Sequence, residues 1–368
     1  MKNEEFVHLS ARLETVRTMI NEAQLAGVMI TEPYNRRYLS GFTGSNGVLI
    51  ITADKQVIAT DSRYYEQVRQ EMPNWELVEV GYNFAAKMLE LLRGLELGGQ
   101  TVGFEAQVTS VSTLHKWERA IKGQLILVHT EELVESVRMK KEPSEIEKLR
   151  KAIALADETM AYITNYIQPG MTEFEVAWEI ERYMRTHGAT AVSFEPIAAA
   201  GPNSAKPHAT PSDKPIQAGE PVLLDFGCIV DGYCSDITRT ICLGQPTDER
   251  YLKIWHIVRE AHQQSIKAAK AGLTGKEIDK VARDIIEQAG FKDNFGHSLG
   301  HGIGLNVHEQ PRFSFNYPDE IYAGAVVTVE PGIYIPDWGG VRLEDIVLVH
   351  DDYAEVLSQA PLTPVIEL

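Results

Sequence analysis

The sequence predicts two domains: an α/β domain over residues 1–138, then an α+β domain of pseudo-twofold design over residues 139–368. Three observations carry that expectation. Helix and strand patterns alternate through the first third, a charged stretch ending at a proline interrupts them near Arg138, and the rest of the chain repeats itself once. A length of 368 residues is enough for two domains of ordinary size.

Along the first domain, Ser10 is placed to cap a helix whose Leu13, Val16 and Ile20 share one face, with Gly27 closing it. Val28-Met29-Ile30 follows as a short strand. Further strands are expected at 48–52 and 57–60, joined by the polar turn Ala53-Asp54-Lys55, and at 77–80 and 102–104. The pattern ends in Arg138-Met139-Lys140-Lys141-Glu142 and Pro143. Ser144 with Glu147 then makes a capping box. Ile146, Leu149, Ile153, Ala156, Met160 and Ile163 recur at spacings of three and four, so a long amphipathic helix opens the second domain.

The repeat lies inside that second domain. Gly170-Met171-Thr172, Glu175-Val176 and Gly188 recur as Gly272-Leu273-Thr274, Glu277-Ile278 and Gly290, an offset of 102. Ala218-Gly219, Val222, Asp225 and Gly227 recur as Ala323-Gly324, Val327, Glu330 and Gly332, an offset of 105. Two helix-then-strand halves are implied, each delivering an acid at the same strand position. Two copies are too few for a solenoid, so the halves form one pseudo-symmetric domain with a shared site between them.

Composition narrows the partners. A content of 44% hydrophobic and 24% charged residues is that of an ordinary globular protein. The 52 acidic against 35 basic residues, a net charge of −17, argue against nucleic acid and against an anionic membrane surface. No apolar run approaches membrane-spanning length, and Met1 to Phe6 lack the basic and apolar regions of a signal peptide. Cys228, Cys234 and Cys242 show no Cys-x-x-Cys spacing, so neither a disulfide framework nor a zinc ribbon is expected, and a reducing cytoplasm fits.

The chemistry concentrates in five residues: Asp225, Asp236, His301, Glu330 and Glu344. Asp225 ends Val222-Leu223-Leu224, Glu330 ends Val326-Val327-Thr328-Val329, and Glu344 runs into Asp345 and an apolar stretch. Carboxylates in such places are costly unless something positive meets them. Asp231-Gly232 is a hairpin turn dipeptide, which puts Asp225 and Asp236 on its two arms and Thr238 two residues further along. The second half repeats the design with Glu330, a turn through Pro336-Asp337-Trp338-Gly339-Gly340, and Glu344. His297, His301 and His308 fall between the halves, with Gly300 and Gly302 flanking His301. Four carboxylates and an imidazole suit hard or borderline divalent cations. A competing motif, Gly296-His297-Ser298-Leu299-Gly300, matches the nucleophile elbow of serine hydrolases at Ser298, but a poor upstream strand and alternating downstream glycines argue against it. A non-catalytic binding module is the other class of reading, and the intact ligand set argues against it.

These residues resemble the pita-bread metallopeptidases, the superfamily of methionine aminopeptidase, aminopeptidase P, prolidase and creatinase. The motifs are D-F-G-x-x-x-D-G-Y-x-S-D-x-T-R-T, G-H-G-I-G, V-E-P-G and R-L-E-D, which place Asp225, Asp236, His301, Glu330 and Glu344 at the five ligand positions of that family. The front domain resembles the creatinase/prolidase N-terminal domain through Gly41-Phe42-Thr43-Gly44-Ser45 and Thr60-Asp61-Ser62-Arg63-Tyr64, a domain that covers the cleft in that family. With V-H-E-x-P at Val307 to Pro311, the likeness points to the proline-specific branch.

The resemblance implies a hydrolase holding two divalent ions, Mn²⁺ before Co²⁺ or Zn²⁺, with Asp236 and Glu344 bridging them. It makes His208 and His308 the groups that stabilise the developing oxyanion, Glu330 the proton shuttle, Arg342 a brace for the acids, and His297 and Thr238 supporting residues. Short peptides with proline at the second position would be the substrates and a homodimer the assembly. An Xaa-Pro aminopeptidase is the first expectation and an Xaa-Pro dipeptidase the alternative. A dipeptidase needs a cation for the substrate carboxylate, for which Arg312 is the candidate.

Overall fold

The structure, a computed structural model, describes residues 2–368, with side chains described from His8 onward. The chain forms two compact units, Met1–Arg138 and Met139–Leu368.

In the first unit the elements run α1 (Lys2–Glu22), β1 (Gly27–Ile30), α2 (Pro33–Ser40), β2 (Val48–Thr52), β3 (Gln56–Thr60), α3 (Tyr65–Glu71), β4 (Glu76–Glu79), α4 (Phe84–Gly94), β5 (Thr101–Glu105), α5 (Val111–Ile121), β6 (Ile126–Thr130) and α6 (Glu135–Arg138). The strands make one mixed sheet in the order β4-β3-β2-β1-β5-β6, with β1 parallel to β5 and antiparallel to β2. Every residue of β1 is buried, as a central strand covered on both faces requires. Met29, Ile50, Val57 and Val102 pack with Met88 and Leu92 of α4 and Trp117 and Ile121 of α5.

Two expectations for this unit need correction. Ser10 lies inside α1 and does not cap it, because the flanking residues are good helix formers with no proline or glycine to stop them. Gly27 belongs to β1, and Gln24, with φ 55°, is the left-handed residue after the helix. The strand β6 has no counterpart in the sequence reading, since its half-exposed edge position calls for no apolar alternation.

The second unit runs α7 (Pro143–Tyr166), α8 (Glu173–Thr186), β7 (Ala191–Val192), β8 (Ile197–Ala200), β9 (Pro221–Phe226), β10 (Cys228–Val230), β11 (Tyr233–Cys234) and β12 (Ile237–Leu243). It continues with α9 (Arg250–Ala268), α10 (Gly275–Gln288), β13 (Gly300–Gly302), β14 (Glu309–Phe313), β15 (Val326–Val329), β16 (Gly332–Ile335), β17 (Gly339–Arg342), β18 (Asp345–Val349), β19 (Ala354–Val356) and β20 (Val365–Ile366). The cap of α7 is Glu142 and not Ser144. Pro143 takes the first helical position, where its missing N–H costs nothing, and the Glu142 N–H donates to Glu145 Oε2 at 3.0 Å.

The internal repeat is structural. Thr172 caps α8 in a box with Glu175, and Thr274 caps α10 in a box with Glu277. Gly170 N–H donates to Ile216 O and Gly272 N–H to Ile321 O, while isolated bridges join Thr172 to Pro215 and Thr274 to Glu320. Strands β12, β9 and β8 of the first half, joined by β20 from the end of the chain, form the sheet β20-β12-β9-β8, and the second half forms the sheet β14-β13-β15-β18-β19. Ile163, Val176, Ile180 and Met184 of α7 and α8 bury against Val222, Leu224 and Ile237. Trp255, Val258, Ile278 and Ala282 of α9 and α10 bury against Val327, Val329 and Val347. Each large apolar side chain so buried stabilises by about 1.5–3 kcal/mol. Each half therefore has its own core, and the polar residues carried by the strands are left to face one another.

Gly300 is packed tightly beside that polar centre: a Cβ there would lie 1.9 Å from the carbonyl oxygen of Thr328. At Gly296 a Cβ would meet nothing within 4 Å. Gly300→Ala is expected to force β13 off β15 at a cost of about 1–3 kcal/mol. Gly296→Ala is expected to be close to neutral. Thermal unfolding of the two variants beside the parent checks the contrast.

Candidate metal centre

The two halves bring Asp225, Asp236, His301, Glu330 and Glu344 to one cavity of about 270 Å³, which His208, His297, His308, Arg312 and Arg342 also line. Asp225 is the penultimate residue of β9 and pairs across the ladder with Thr238 of β12. The hairpin turn forms at Asp231 (φ 52°) and Gly232 (φ 87°), but Asp236 lies in the break between β11 and β12, not within a strand. Glu330 follows β15 directly, and Glu344 sits between β17 and β18. His301 is the middle residue of β13, opposite Arg312 of β14.

The hydrogen-bond roles leave lone pairs aimed at one another. His301 Nδ1 lies 3.1 Å from the Gly302 carbonyl oxygen, so that nitrogen carries the proton and Nε2 bears a lone pair. That Nε2 stands 3.6 Å from Asp236 Oδ2 and 3.4 Å from Glu330 Oε1. Burial and the neighbouring His308 push the imidazole down to about 3, so it is neutral near pH 7 and brings no proton to share. Asp225 Oδ1 and Glu344 Oε1 are buried without a hydrogen-bond partner. Asp236, His301 and Glu344 each offer a donor atom within 4.8 Å of the others. Buried acceptors that face acceptors are tolerable only with a cation among them, so the residues fit a divalent metal centre.

Electrostatics agree. Burial, and then repulsion from Glu344, Asp225 and Glu330, raises Asp236 well above the usual carboxylate range. Glu344 is raised for the same reasons, with Glu330 its strongest repulsive neighbour, and Glu330 is pushed by burial up to about 7. Asp225 is also raised by burial, against the pull of Arg342. The Arg342 guanidinium donates to Asp225 Oδ2, to Tyr334 Oη at 2.8 Å and to Thr238 Oγ1 at 3.0 Å. Thr238 Oγ1 in turn donates to Glu344 Oε2 at 2.7 Å, so Arg342 and Thr238 fix one oxygen of each acid and leave the other facing the cavity.

The accessory residues divide by exposure. His208 and His308 are exposed at the cavity wall, and the His308 ring meets that of His301 edge-on at 4.4 Å. Arg312 is exposed and lines the same cavity. His297 is deeper: Nδ1 donates to Ser298 O and Nε2 accepts from Tyr334 Oη, both at 2.8 Å. Burial, and then the charge of Arg342, lowers its pKa to about 4, which keeps this ring neutral. Tyr334 therefore joins Arg342 to His297, a role the apolar context of Gly332 to Ile335 gave no reason to expect. Thr328 was missed as well. Its hydroxyl donates to Glu330 Oε1 at 3.2 Å and accepts the His301 N–H at 3.0 Å. Phe194, Ile197 and Pro207 are apolar groups in the cavity lining. Ser298 donates to Ser314 Oγ and precedes strand β13 rather than a helix, so the nucleophile-elbow geometry is not formed.

Comparison with known proteins gives the family. Metallopeptidase family M24 matches residues 147–351, and the Creatinase/Prolidase N-terminal domain matches residues 12–140. The uncharacterized peptidase YqhT of Bacillus subtilis is 39% identical over 350 residues, covering 95% of this chain and 98% of that one. The structure of the Xaa-Pro dipeptidase from Bacillus anthracis superposes with a TM-score of 0.93 at 39% identity, covering 98% of this chain and 100% of the other. That of the X-Pro aminopeptidase from Thermotoga maritima gives 0.86 at 36% identity, covering 94% and 98%. The chain belongs to metallopeptidase family M24, with a creatinase/prolidase N-terminal domain before a pita-bread catalytic domain.

The raised carboxyls make the metal-free protein sensitive to pH. In acid both folded and unfolded chains hold these protons, so the shifts cost nothing. As pH rises the unfolded chain ionises first, and the folded chain follows only at about 7 for Glu330, with Asp236 and Glu344 shifted in the same direction, so stability falls through that window. His297 and His301, both lowered, oppose this only below about pH 6.5, where the unfolded chain takes up protons they refuse. Chelator-treated protein is therefore expected to unfold at a lower temperature at about pH 8 than at about pH 6.5. Glu344→Gln should raise the alkaline midpoint by several degrees, at about 2–4 °C per kcal/mol for a domain of this size. Thermal melts at both pH values check the sign.

Proposed function

We propose that this metallopeptidase hydrolyses the bond between an N-terminal residue and a following proline, releasing the first residue of Xaa-Pro peptides. The observation that carries the reading is the convergence of Asp225, Asp236, His301, Glu330 and Glu344 on a cavity also lined by Phe194, Ile197 and Pro207, apolar groups suited to a pyrrolidine ring. Asp225, Asp236, His301, Glu330 and Glu344 would hold two divalent ions, Mn²⁺ first and Co²⁺ or Zn²⁺ next. When bound, such ions supply Lewis acidity, polarising the scissile carbonyl and bringing a water's pKa toward neutrality.

The chain's own residues do the rest. Glu330, pushed to about 7 by burial, is suited to take a proton from the attacking water and return it to the leaving proline nitrogen. His308 and His208, at the cavity wall, can donate hydrogen bonds to the carbonyl oxygen as negative charge develops there. Arg342 favours the ionised form of Asp225 against its burial and orients it, and Tyr334 with His297 holds Arg342 in place. The excess of carboxylates attracts a free α-ammonium group, which restricts cleavage to the N-terminal bond.

A second substrate length is favoured by one observation. Arg312 places a guanidinium in the cavity wall, where it can pair with the α-carboxylate of a dipeptide. Rates on Ala-Pro and Ala-Pro-Ala-Ala separate the two readings: cleavage of the tetrapeptide supports the aminopeptidase, and activity on the dipeptide alone contradicts it. If Arg312 grips the carboxylate, Arg312→Ala should raise KM for Ala-Pro by about tenfold or more and leave the tetrapeptide nearly unchanged.

Asp236→Ala is expected to lower turnover by at least about 10³-fold, because it removes an acid central to the ligand set. Chelation should abolish parent activity and Mn²⁺ restore it. Turnover retained by Asp236→Ala, or indifference to chelator, would remove the metal reading altogether.

A further inference from the structure

The loop from Ile303 to His308 is held by a charge that comes from outside it. Glu309 opens β14, and its carboxylate turns back over the loop: Oε1 accepts the Asn306 N–H at 2.8 Å, and a Cβ on Gly304 would lie 2.7 Å from Oε2. The loop is further pinned where Gly304 N–H donates to Asn306 O and Gly304 O accepts the Cys234 N–H at 2.8 Å. Glu309 is thus the staple of this loop, and its side chain is only 6% exposed. A carboxylate so placed needs a cation, and Lys141, its own side chain 1% exposed, stands 3.2 Å away.

Lys141 belongs to the segment just before α7, far from the loop in sequence. Its backbone is anchored as well, the N–H donating to Gly324 O at 2.9 Å. The start of α7 holds the neighbouring hairpin in the same way, through Tyr233 Oη donating to Glu145 Oε1 at 3.0 Å. His308, at the end of the stapled loop, is exposed, and its ring stays at the cavity through the course of the loop and its edge contact with His301. Removing the Lys141 charge takes away an ion pair that holds this buried carboxylate over the loop, so Glu309 shifts and the adjacent His308 moves with it.

We propose that Lys141 is a positioning residue for the reaction, acting through Glu309 to hold the 303–309 loop so that the His308 imidazole reaches the substrate. The inference rests on the role given above to His308. It predicts that Lys141 carries catalytic effect without touching substrate, and that this effect vanishes once His308 is gone.

The test uses full-length Lys141→Met, Lys141→Arg, Glu309→Gln, the double variant Lys141→Met/Glu309→Gln, and His308→Ala alone and combined with Lys141→Met. Histidine-selective ¹⁵N NMR of the metal-free protein identifies the His308 signal as the one lost in His308→Ala. Lys141→Met is expected to shift or broaden that signal while leaving those of His8 and His115 in the first unit in place, and Lys141→Arg is expected to restore it. On Mn²⁺-loaded enzyme with Ala-Pro, Lys141→Met should lower kcat about tenfold or more with little change in KM, and add nothing to His308→Ala. The double variant, which leaves no buried charge, should lose less than Lys141→Met alone. An unmoved His308 signal, or losses from Lys141→Met and His308→Ala that multiply, overturns the proposal. Should Lys141→Met fail to fold, Glu309→Gln and the double variant carry the same two measurements. If His308→Ala hydrolyses Ala-Pro at the parent rate, the functional role of His308 fails, while the NMR comparison still decides whether Lys141 sets the position of its ring.

Discussion

Four carboxylates and a neutral imidazole aimed at a shared point repel one another, and much of the second unit is arranged around that repulsion. Arg342 offsets part of it by binding Asp225 directly and Glu344 through Thr238. One buried guanidinium cannot neutralise four acids. The remainder appears as carboxyls raised well above their usual range at Asp236 and Glu344, and as oxygens of Asp225 and Glu344 with no partner. A centre of this kind is unfavourable by itself and becomes favourable with divalent cations, so metal binding and folding stability are coupled in this protein.

The pseudo-twofold design is what makes such a concentration of charge affordable in structural terms. Each half closes its own apolar core, between α7, α8 and one sheet and between α9, α10 and the other. The acids are carried on strand ends and in breaks beside strands, where backbone hydrogen bonds are already made by the ladders and side chains can be spent on the cavity. Gly300, packed against Thr328, lets β13 approach β15 closely enough for His301 to reach Asp236 and Glu330. The surrounding hydrogen bonds, from Arg342 through Tyr334 to His297 and from Thr328 to Glu330, set the direction of each donor rather than its presence.

Much of this was legible in the residues because the physical cost was visible in them. An acid at the end of a Val-Leu-Leu run is improbable without a purpose, and the same acid recurring one repeat later is more so, which is why Asp225 and Glu330 stood out together. The repeated loop-to-helix pattern at Gly170-Met171-Thr172 and Gly272-Leu273-Thr274 is a local signal, and both helices form, each capped by its threonine. What stayed hidden depends on contacts distant in sequence. Tyr334 looks like one more apolar strand residue until Arg342 and His297 are seen on either side of it, and Lys141 looks like a linker charge until Glu309 is found beside it. Ser10 and Ser144 failed as caps for a local reason: a cap signal is ambiguous where good helix formers precede it or where a proline offers an earlier start.

The central claim is that the cavity's acids are held together by two cations. Crystals of the purified protein grown with Mn²⁺, examined by anomalous diffraction at the manganese edge, test it most directly. The account predicts two anomalous peaks per chain inside the cavity, both within coordination distance of Asp236 and Glu344. A fully occupied crystal with peaks elsewhere, or with none among Asp225, Asp236, His301, Glu330 and Glu344, would contradict it.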